Sequence, residues 1–263
     1  MAIKQTALVT GASSGIGLEL ARVFAENSYN LVLTARREEK LQELAGELRG
    51  HDISVEVIPA DLSRREAPTE ILQQLQERGI SVDVLVNNAG FATYGLFDET
   101  ELQDELNLIT VNISALTHLT KLLLPGMIER KNGYVFNVAS TAAFQPGPFM
   151  AVYYASKAYV LSFSEALANE LEGTGVSVTA LCPGLTQSGF QERAQMQKSN
   201  LARGPMMDAR TVALAGYEAM IKGQTIAIPG RSARLFARMV RFLPRATAVN
   251  LVRRAQAPAS KSE

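Results

Sequence analysis

The feature that most constrains this chain is an alternation of two hydrophobic periods. Short apolar runs lie near residues 6–10, 30–35, 53–59, 82–87, 133–139, 175–182 and 224–229. Between them, near 15–27, 37–49, 65–78, 98–111, 113–130, 151–172 and 208–222, apolar residues recur three or four apart. After Arg37, for example, Leu41, Leu44, Ala45 and Leu48 form a stripe while Glu38, Glu39, Lys40 and Glu43 fall on the other side, the pattern of a helix with one buried face. Strand-length runs alternating with single helices are repeated βαβ units, and strands joined that way pair in parallel. Right-handed crossovers place the helices on both faces. The expected fold is α/β: a doubly wound, seven-stranded parallel sheet.

No internal repeat, low-complexity tract or linker interrupts this pattern before the last thirty residues. We therefore expect one domain over 1–230, with a lid near 185–207, and treat 231–263 as a basic C-terminal extension of it. The chain holds 26 basic and 26 acidic residues, which gives no electrostatic argument for a nucleic-acid partner, but the balance is uneven. Residues 231–263 carry eight Arg/Lys and only Glu263 as an acid. A single cysteine, Cys182, excludes an intramolecular disulfide and any cysteine-rich metal site, and fits a buried strand residue in a reducing compartment. His51 and His118 lack partners at ligand spacing, so no metal site is expected. With no signal-like N-terminus and no run of about eighteen apolar residues, the expected location is cytoplasmic.

Directly after the first run stands Thr10-Gly11-Ala12-Ser13-Ser14-Gly15-Ile16-Gly17, leading into the periodic Leu18, Leu20, Ala21, Val23 and Phe24. Glycines permit a tight strand-to-helix turn and close approach of backbone amides to a pyrophosphate, and the helix N-terminus adds partial positive charge. The spacing Gly-x-x-x-Gly-x-Gly is not the Gly-x-Gly-x-x-Gly fingerprint. It resembles the loop of the classical short-chain dehydrogenase/reductase family, as distinct from its extended branch, and the resemblance covers roughly residues 5–230. It implies a Rossmann-type domain that moves hydride between a nicotinamide cofactor and a carbonyl/alcohol pair, with Gly11, Ser13, Ser14, Gly15, Ile16 and Gly17 around the cofactor.

An NAD-binding unit usually places a carboxylate about twenty residues past the loop, on the ribose hydroxyls. Here the second run ends Thr34-Ala35-Arg36-Arg37. A guanidinium matches a phosphate in geometry, so Arg36, with Arg37 as a second candidate and Ser13 as a hydroxyl donor, points to a 2′-phosphate. In the family such an arginine implies NADP(H); the alternative is a solvated pair opening a surface helix. The resemblance further places Asp61 and Leu62 at the adenine. It also matches Asn87-Asn88-Ala89-Gly90 to the family's Asn-Asn-Ala-Gly motif, with Asn88, Ala89 and Gly90 at the cofactor and Asn87 bracing strands. Pro183, Gly184 and Thr186 fall at the nicotinamide. Ser188 stands where many relatives have Thr.

The fifth run ends at Ser140, and Tyr153-Tyr154-Ala155-Ser156-Lys157 follows thirteen residues later. Tyr153 and Lys157, four apart, share a helix face. A phenol with a pKa near ~10 is a poor base at neutrality, and a neighbouring ammonium lowers it by favouring phenolate. Tyr153 is therefore the expected acid/base and Lys157 its electrostatic partner, with Ser140 on the substrate oxygen. The resemblance adds Asn112 as the residue linking the lysine through water to solvent. A non-catalytic NADP(H)-binding sensor or scaffold is the competing reading, opposed by retention of the Tyr/Lys pair.

Candidate substrate walls are Phe91, Tyr94, Phe144, Pro146, Phe149 and Met150, with Phe190 to Met207 as the lid, which favours an apolar carbonyl/alcohol substrate. The family resemblance implies a homodimer or homotetramer through helices near 98–130 and 151–172. In 231–254, Arg231, Arg234, Arg238, Arg241 and Arg245 interleave with Leu235, Phe236, Met239, Val240, Phe242 and Leu243. If helical, that segment either makes a peripheral membrane contact or packs its apolar stripe on the domain or a second subunit.

Overall fold

The computed structural model describes residues 4–190, 194, 199–200 and 204–258. Strands Thr6–Thr10 (β1), Asn30–Thr34 (β2), Val55–Val57 (β3), Val84–Asn87 (β4), Gly133–Val138 (β5) and Val176–Leu181 (β6) lie close to the runs read from the sequence. Thr186–Gln187 (β7) and Met207–Asp208 (β8) make a separate two-residue parallel ladder, and Ile226–Ala227 (β9) completes the main sheet. That sheet is parallel throughout, in the order β3-β2-β1-β4-β5-β6-β9.

Side chains alternate across the strands, so each strand feeds two cores. Ala7 and Val9 of β1 and Leu31 and Leu33 of β2 pack on helices Gly15–Glu26 (α1), Glu38–Leu48 (α2) and, further along the sheet, Ala209–Ile221. Leu8, Val32, Leu85 and Val135 point the other way, onto Ala67–Glu77 (α3), Leu116–Glu129 and Ala151–Glu170. This is the doubly wound arrangement, and the sheet's order reverses direction between β1 and β4, where loops leaving the two strands diverge.

Two helical expectations are corrected. Segments 98–111 and 113–130 are one rod: Leu102–Ile109 (α4) runs through a π-helical turn, Thr110–Ala115, into Leu116–Glu129 (α5). No glycine or proline stands between Leu102 and Leu124 to part them, and the surplus residue is absorbed as the π turn, which carries Asn112. The rod is long and apolar enough to cross a membrane by length and composition, yet Val111, Ala115, Leu119 and Met127 are buried in the sheet's second core. After Ala151–Glu170 (α6) and Ala209–Ile221 (α7), the C-terminal segment is not one helix but two, Arg231–Val240 (α8) and Arg245–Gln256 (α9), parted at Pro244, which caps α9. The middle of the expected lid, 191–193, 195–198 and 201–203, lies outside the described residues.

Below the carboxyl ends of β4 and β5 a buried polar chain ties the layers together. Asn87 Nδ2 donates to Thr120 Oγ1 (3.1 Å) and Asn137 Oδ1 (2.9 Å), and Asn137 Nδ2 donates to Ser164 Oγ (2.9 Å). One amide pair thus joins two strands to α5 and α6. Asn137→Ala leaves the Asn87 amide without its strand partner in a dry site; we expect a loss of about 1–3 kcal/mol. It should be read as a lower urea midpoint at unchanged denaturant dependence.

Candidate active site

The loops that follow β1 to β6 open on one cleft of about 1420 Å3. Single-ligand pockets run to about 300–1,000 Å3, so this space admits a dinucleotide and a second molecule together.

At one end lies the glycine loop. Gly11 takes φ +67°, a left-handed turn that reverses the chain into α1. At Gly17 a Cβ would collide with Asn88 Nδ2 and the Gly11 carbonyl, so only glycine lets the first turn of α1 lie this close to the loop. The loop is pinned from the β4 side. Thr10 Oγ1 accepts from the amides of Asn88 (2.9 Å) and Ala89 (3.0 Å) and donates to the Val86 carbonyl (3.0 Å), while Asn88 Nδ2 donates to Thr10 O (2.9 Å). Ser14, at the helix N-cap, makes no side-chain capping bond, and the first turn of α1 holds no acid. Its positive end therefore faces the cleft unneutralised, which suits a pyrophosphate.

Arg36 and Arg37 stand beside this loop, both exposed and both lining the cleft. Sequence reasoning favoured Arg36, but Arg37 is the one anchored to the loop, its guanidinium donating to Ser13 O (3.3 Å) and Ser13 Oγ (3.2 Å). Asp61 accepts from the Ser63 amide (3.0 Å) and hydroxyl (2.8 Å), a turn that presents Leu62 to the cleft. Asn88, Ala89, Gly90, Pro183, Gly184 and Thr186 line the same space. These residues fit a nicotinamide dinucleotide: an uncapped helix terminus for the diphosphate, cations at the adenosine end, and small residues along the floor.

At the other end, α6 delivers Tyr153 and Lys157 to the cleft from one helix face, opposite Ser140. Ser140 caps a short 3-10 turn, its Oγ accepting from the Ala142 amide (3.1 Å). Lys157 Nζ donates to the Val138 carbonyl (2.8 Å) and stands 5.8 Å from the Tyr153 ring centroid. Burial pushes the Tyr153 phenol above the ordinary tyrosine range, with a hydrogen bond to Ser140 opposing. Burial also pushes the Lys157 ammonium down to about 8. The depression of Tyr153 expected from its lysine is thus absent here. Burial dominates at the phenol, while the ammonium turns to the Val138 carbonyl. Cys182 is buried, its thiol pushed up to about 12 by burial, as suits a packing residue.

Asn112 lies behind Gly90 rather than in the cleft. Its Oδ1 accepts from the Phe91 amide (3.1 Å), and its Nδ2 donates to the Phe91 carbonyl (3.0 Å) and Ser156 Oγ (3.1 Å). The side chain fastens the loop after β4 to α6.

Among the proposed substrate walls, Phe91, Tyr94 and Met150 line the cleft, whereas Phe144, Pro146 and Phe149 do not. Phe144 packs inward beside a core cluster around Val160 and Cys182. Phe149, held at φ +67°, backs Tyr94 at 6.0 Å with Arg253 over its ring at 5.3 Å. Phe190, at the start of the lid, packs on Tyr153 with ring centroids 5.4 Å apart. The β7–β8 ladder pairs Thr186 with Met207 and so closes the base of the lid segment.

The residue that sequence reasoning missed is Gln256. Fully buried at the end of α9, it donates from Nε2 to Tyr154 Oη (2.7 Å), while its Oε1 accepts from Ser199 Oγ (3.2 Å) and its carbonyl from Tyr94 Oη (2.6 Å). One residue therefore joins α6, the lid and the loop after β4, the first two through its side chain and the third through its backbone carbonyl. No local pattern flags it, since its partners lie 57 to 162 residues away.

The family model for short chain dehydrogenases matches residues 5–199, and the chain belongs to that family. It is similar to a short chain dehydrogenase of Pseudocercospora fijiensis, 41% identical over 186 residues, which span 70% of this chain but only 60% of that relative's length. It is 40% identical over 180 residues to YdfG of Salmonella typhi, an NADP-dependent 3-hydroxy acid dehydrogenase, covering 68% of this chain and 71% of that one. Among solved structures, a short-chain dehydrogenase from Sphingobium yanoikuyae in complex with NADPH superposes with a TM-score of 0.81 at 32% identity, over 94% of this chain and 99% of that one.

Holding Lys157 dry has a consequence for stability. Its folded pKa, about 8, lies below the unfolded value of 10.5, so between these the unfolded chain binds more protons and stability rises with pH. Below about pH 8 the whole penalty is present. Lys157→Met should therefore unfold at higher urea than the parent at pH 7, by a margin that shrinks as pH rises from 8 toward 10. A margin independent of pH would refute a desolvated lysine.

Proposed function

We propose that this chain is an NADP(H)-dependent oxidoreductase that interconverts a carbonyl and a secondary alcohol, with Tyr153 as general acid/base. The observation that carries the reading is the convergence of Tyr153, Ser140 and Lys157 on a cleft whose far end is the uncapped α1 terminus flanked by Arg36 and Arg37. NADP(H), when bound, supplies or accepts the hydride. The chain's own residues do the rest. With its pKa raised by burial, the Tyr153 phenol is protonated at neutral pH and is poised to donate to a carbonyl oxygen, the reductive direction. Ser140 hydrogen-bonds that oxygen as charge develops, and the Lys157 charge steadies the phenolate left behind.

An uncharged, lipophilic substrate fits best. Phe91, Tyr94, Met150, Phe190 and Val252 surround the space beyond Tyr153. Among the described lining residues the cations are Arg36, Arg37 and Lys157, while Glu99, Glu101 and Asp104 stand on the wall. Among the described lining residues, a carboxylate of the kind implied by the name of YdfG finds no arginine at that end, and the one lysine, Lys157, is engaged with the Val138 carbonyl. We further propose one domain over 1–230 with 231–263 as its extension, a cytoplasmic location, and a homodimer or homotetramer. Exposed Leu102, Leu106 and Ile109 on α4 and Tyr159 on α6 support that assembly.

Tyr153→Phe should cut turnover of ketones by at least about 10²–10⁴-fold while NADPH still binds within a few-fold of the parent. An active variant sinks the assignment of Tyr153. Replacing Arg36 and Arg37 together with Ala should lower kcat/KM for NADPH by roughly 10- to 100-fold, the worth of a charge-assisted hydrogen bond, and leave NADH nearly untouched. Equal losses with both cofactors count against a 2′-phosphate contact.

A further inference from the structure

Over residues 231–258 the chain carries seven arginines and no acid. α8 uses only a narrow side to pack, burying Ala237 and Val240. Leu235 and Met239 lie on a different side, continued by Phe242 in the turn just past the helix, and all three are exposed, Leu235 at 60% and Phe242 at 88%. The apolar stripe expected to pack on the domain is therefore largely in water. Arg231, Arg234, Arg238 and Arg241 recur beside it at helical spacing and are exposed as well.

Large apolar side chains presented to solvent with a border of arginines match the plane between lipid tails and anionic headgroups. We propose that α8 seats this protein on an anionic lipid surface, with Leu235, Met239 and Phe242 entering the acyl boundary and the arginines on the headgroup phosphates. Two other occupants fit less well. A second copy in a two-fold contact would bring the same arginines against one another. A nucleic acid would engage the arginines and leave Leu235, Met239 and Phe242 in water.

The placement extends the function proposed above without depending on it. Phe236, on the same exposed surface, also lines the cleft, as does the half-exposed Leu251 of α9. The cleft therefore reaches the seated surface, where a lipophilic substrate dissolved in lipid is concentrated.

The test uses the full chain and sedimentation with vesicles of phosphatidylcholine alone or mixed with phosphatidylglycerol. The expected result is binding to the mixed vesicles only, reversed by salt. Arg234, Arg238 and Arg241 changed together to Gln should weaken it by roughly a hundredfold, at about fivefold per charge. Leu235, Met239 and Phe242 changed together to Ser should abolish it while leaving the melting temperature and NADPH binding intact. Failure of the parent to bind anionic vesicles overturns the proposal, as does undiminished binding by both variants. It is also overturned if the Ser variant elutes as a smaller assembly in lipid-free buffer, which assigns the patch to a second copy, or if the parent binds duplex DNA but not vesicles.

Discussion

The site depends on one junction, the hydrogen bonding of Thr10 to the start of the loop after β4. In a doubly wound sheet the crossovers leave β1 and β4 in opposite directions, and backbone groups at that gap lose their ladder partners. Thr10 supplies replacements, taking the amides of Asn88 and Ala89 on one hydroxyl while Asn88 returns a bond to the Thr10 carbonyl. Because those bonds fix Asn88 directly over Gly11 and Gly17, the position of the α1 N-terminus is set by β4 as much as by β1. The glycine-loop end of the cleft and its floor are thereby bonded to one another.

The opposite end is held by burial instead, and burial acts against the groups it holds. Tyr153 and Lys157 both sit where their charged forms are disfavoured, the phenol shifted up and the ammonium shifted down to about 8. A protein selected for stability alone would place hydrocarbon at Lys157. Here a dry lysine sits within 6 Å of the phenol ring, and the low-dielectric surroundings that cost stability also strengthen its field on any phenolate that forms. The polar chain of Asn87, Asn137 and Ser164 just below stiffens the floor that positions them.

Most of the sheet was legible in the sequence because hydrophobic period and strand length are local properties; β1 to β6 emerged within a few residues of the apolar runs. The cofactor side of the cleft was legible for a related reason, since Gly11 to Gly17, Asn88 to Gly90 and Arg36 each follow a strand end, and strand ends in this topology converge. What sequence reading missed is non-local or collective. It joined Phe144 and Phe149 to the substrate wall because they stand in the loop beyond a strand's carboxyl end, whereas one packs against a core cluster and the other, at positive φ, sits behind Tyr94. It assigned Tyr153 a pKa lowered by its neighbour, because a spacing of four residues shows that two side chains share a face and not where the ammonium points. It read 231–254 as a single stripe, without giving Pro244 its effect as a breaker.

That proline is also what couples the extension to the site. It separates α8, whose Leu235 and Met239 are in water, from α9, whose Leu251, Val252, Ala255 and Gln256 line the cleft. Gln256 fastens α9 to Tyr154, Ser199 and Tyr94, so this wall of the cleft is assembled from four separated stretches of chain. A force or contact applied to α8 acts on α9 through a link of only four residues, Arg241 to Pro244, and α9 carries Val252 and Gln256 at the cleft wall. The basic extension is therefore part of the cleft wall at one end and an exposed apolar and basic surface at the other.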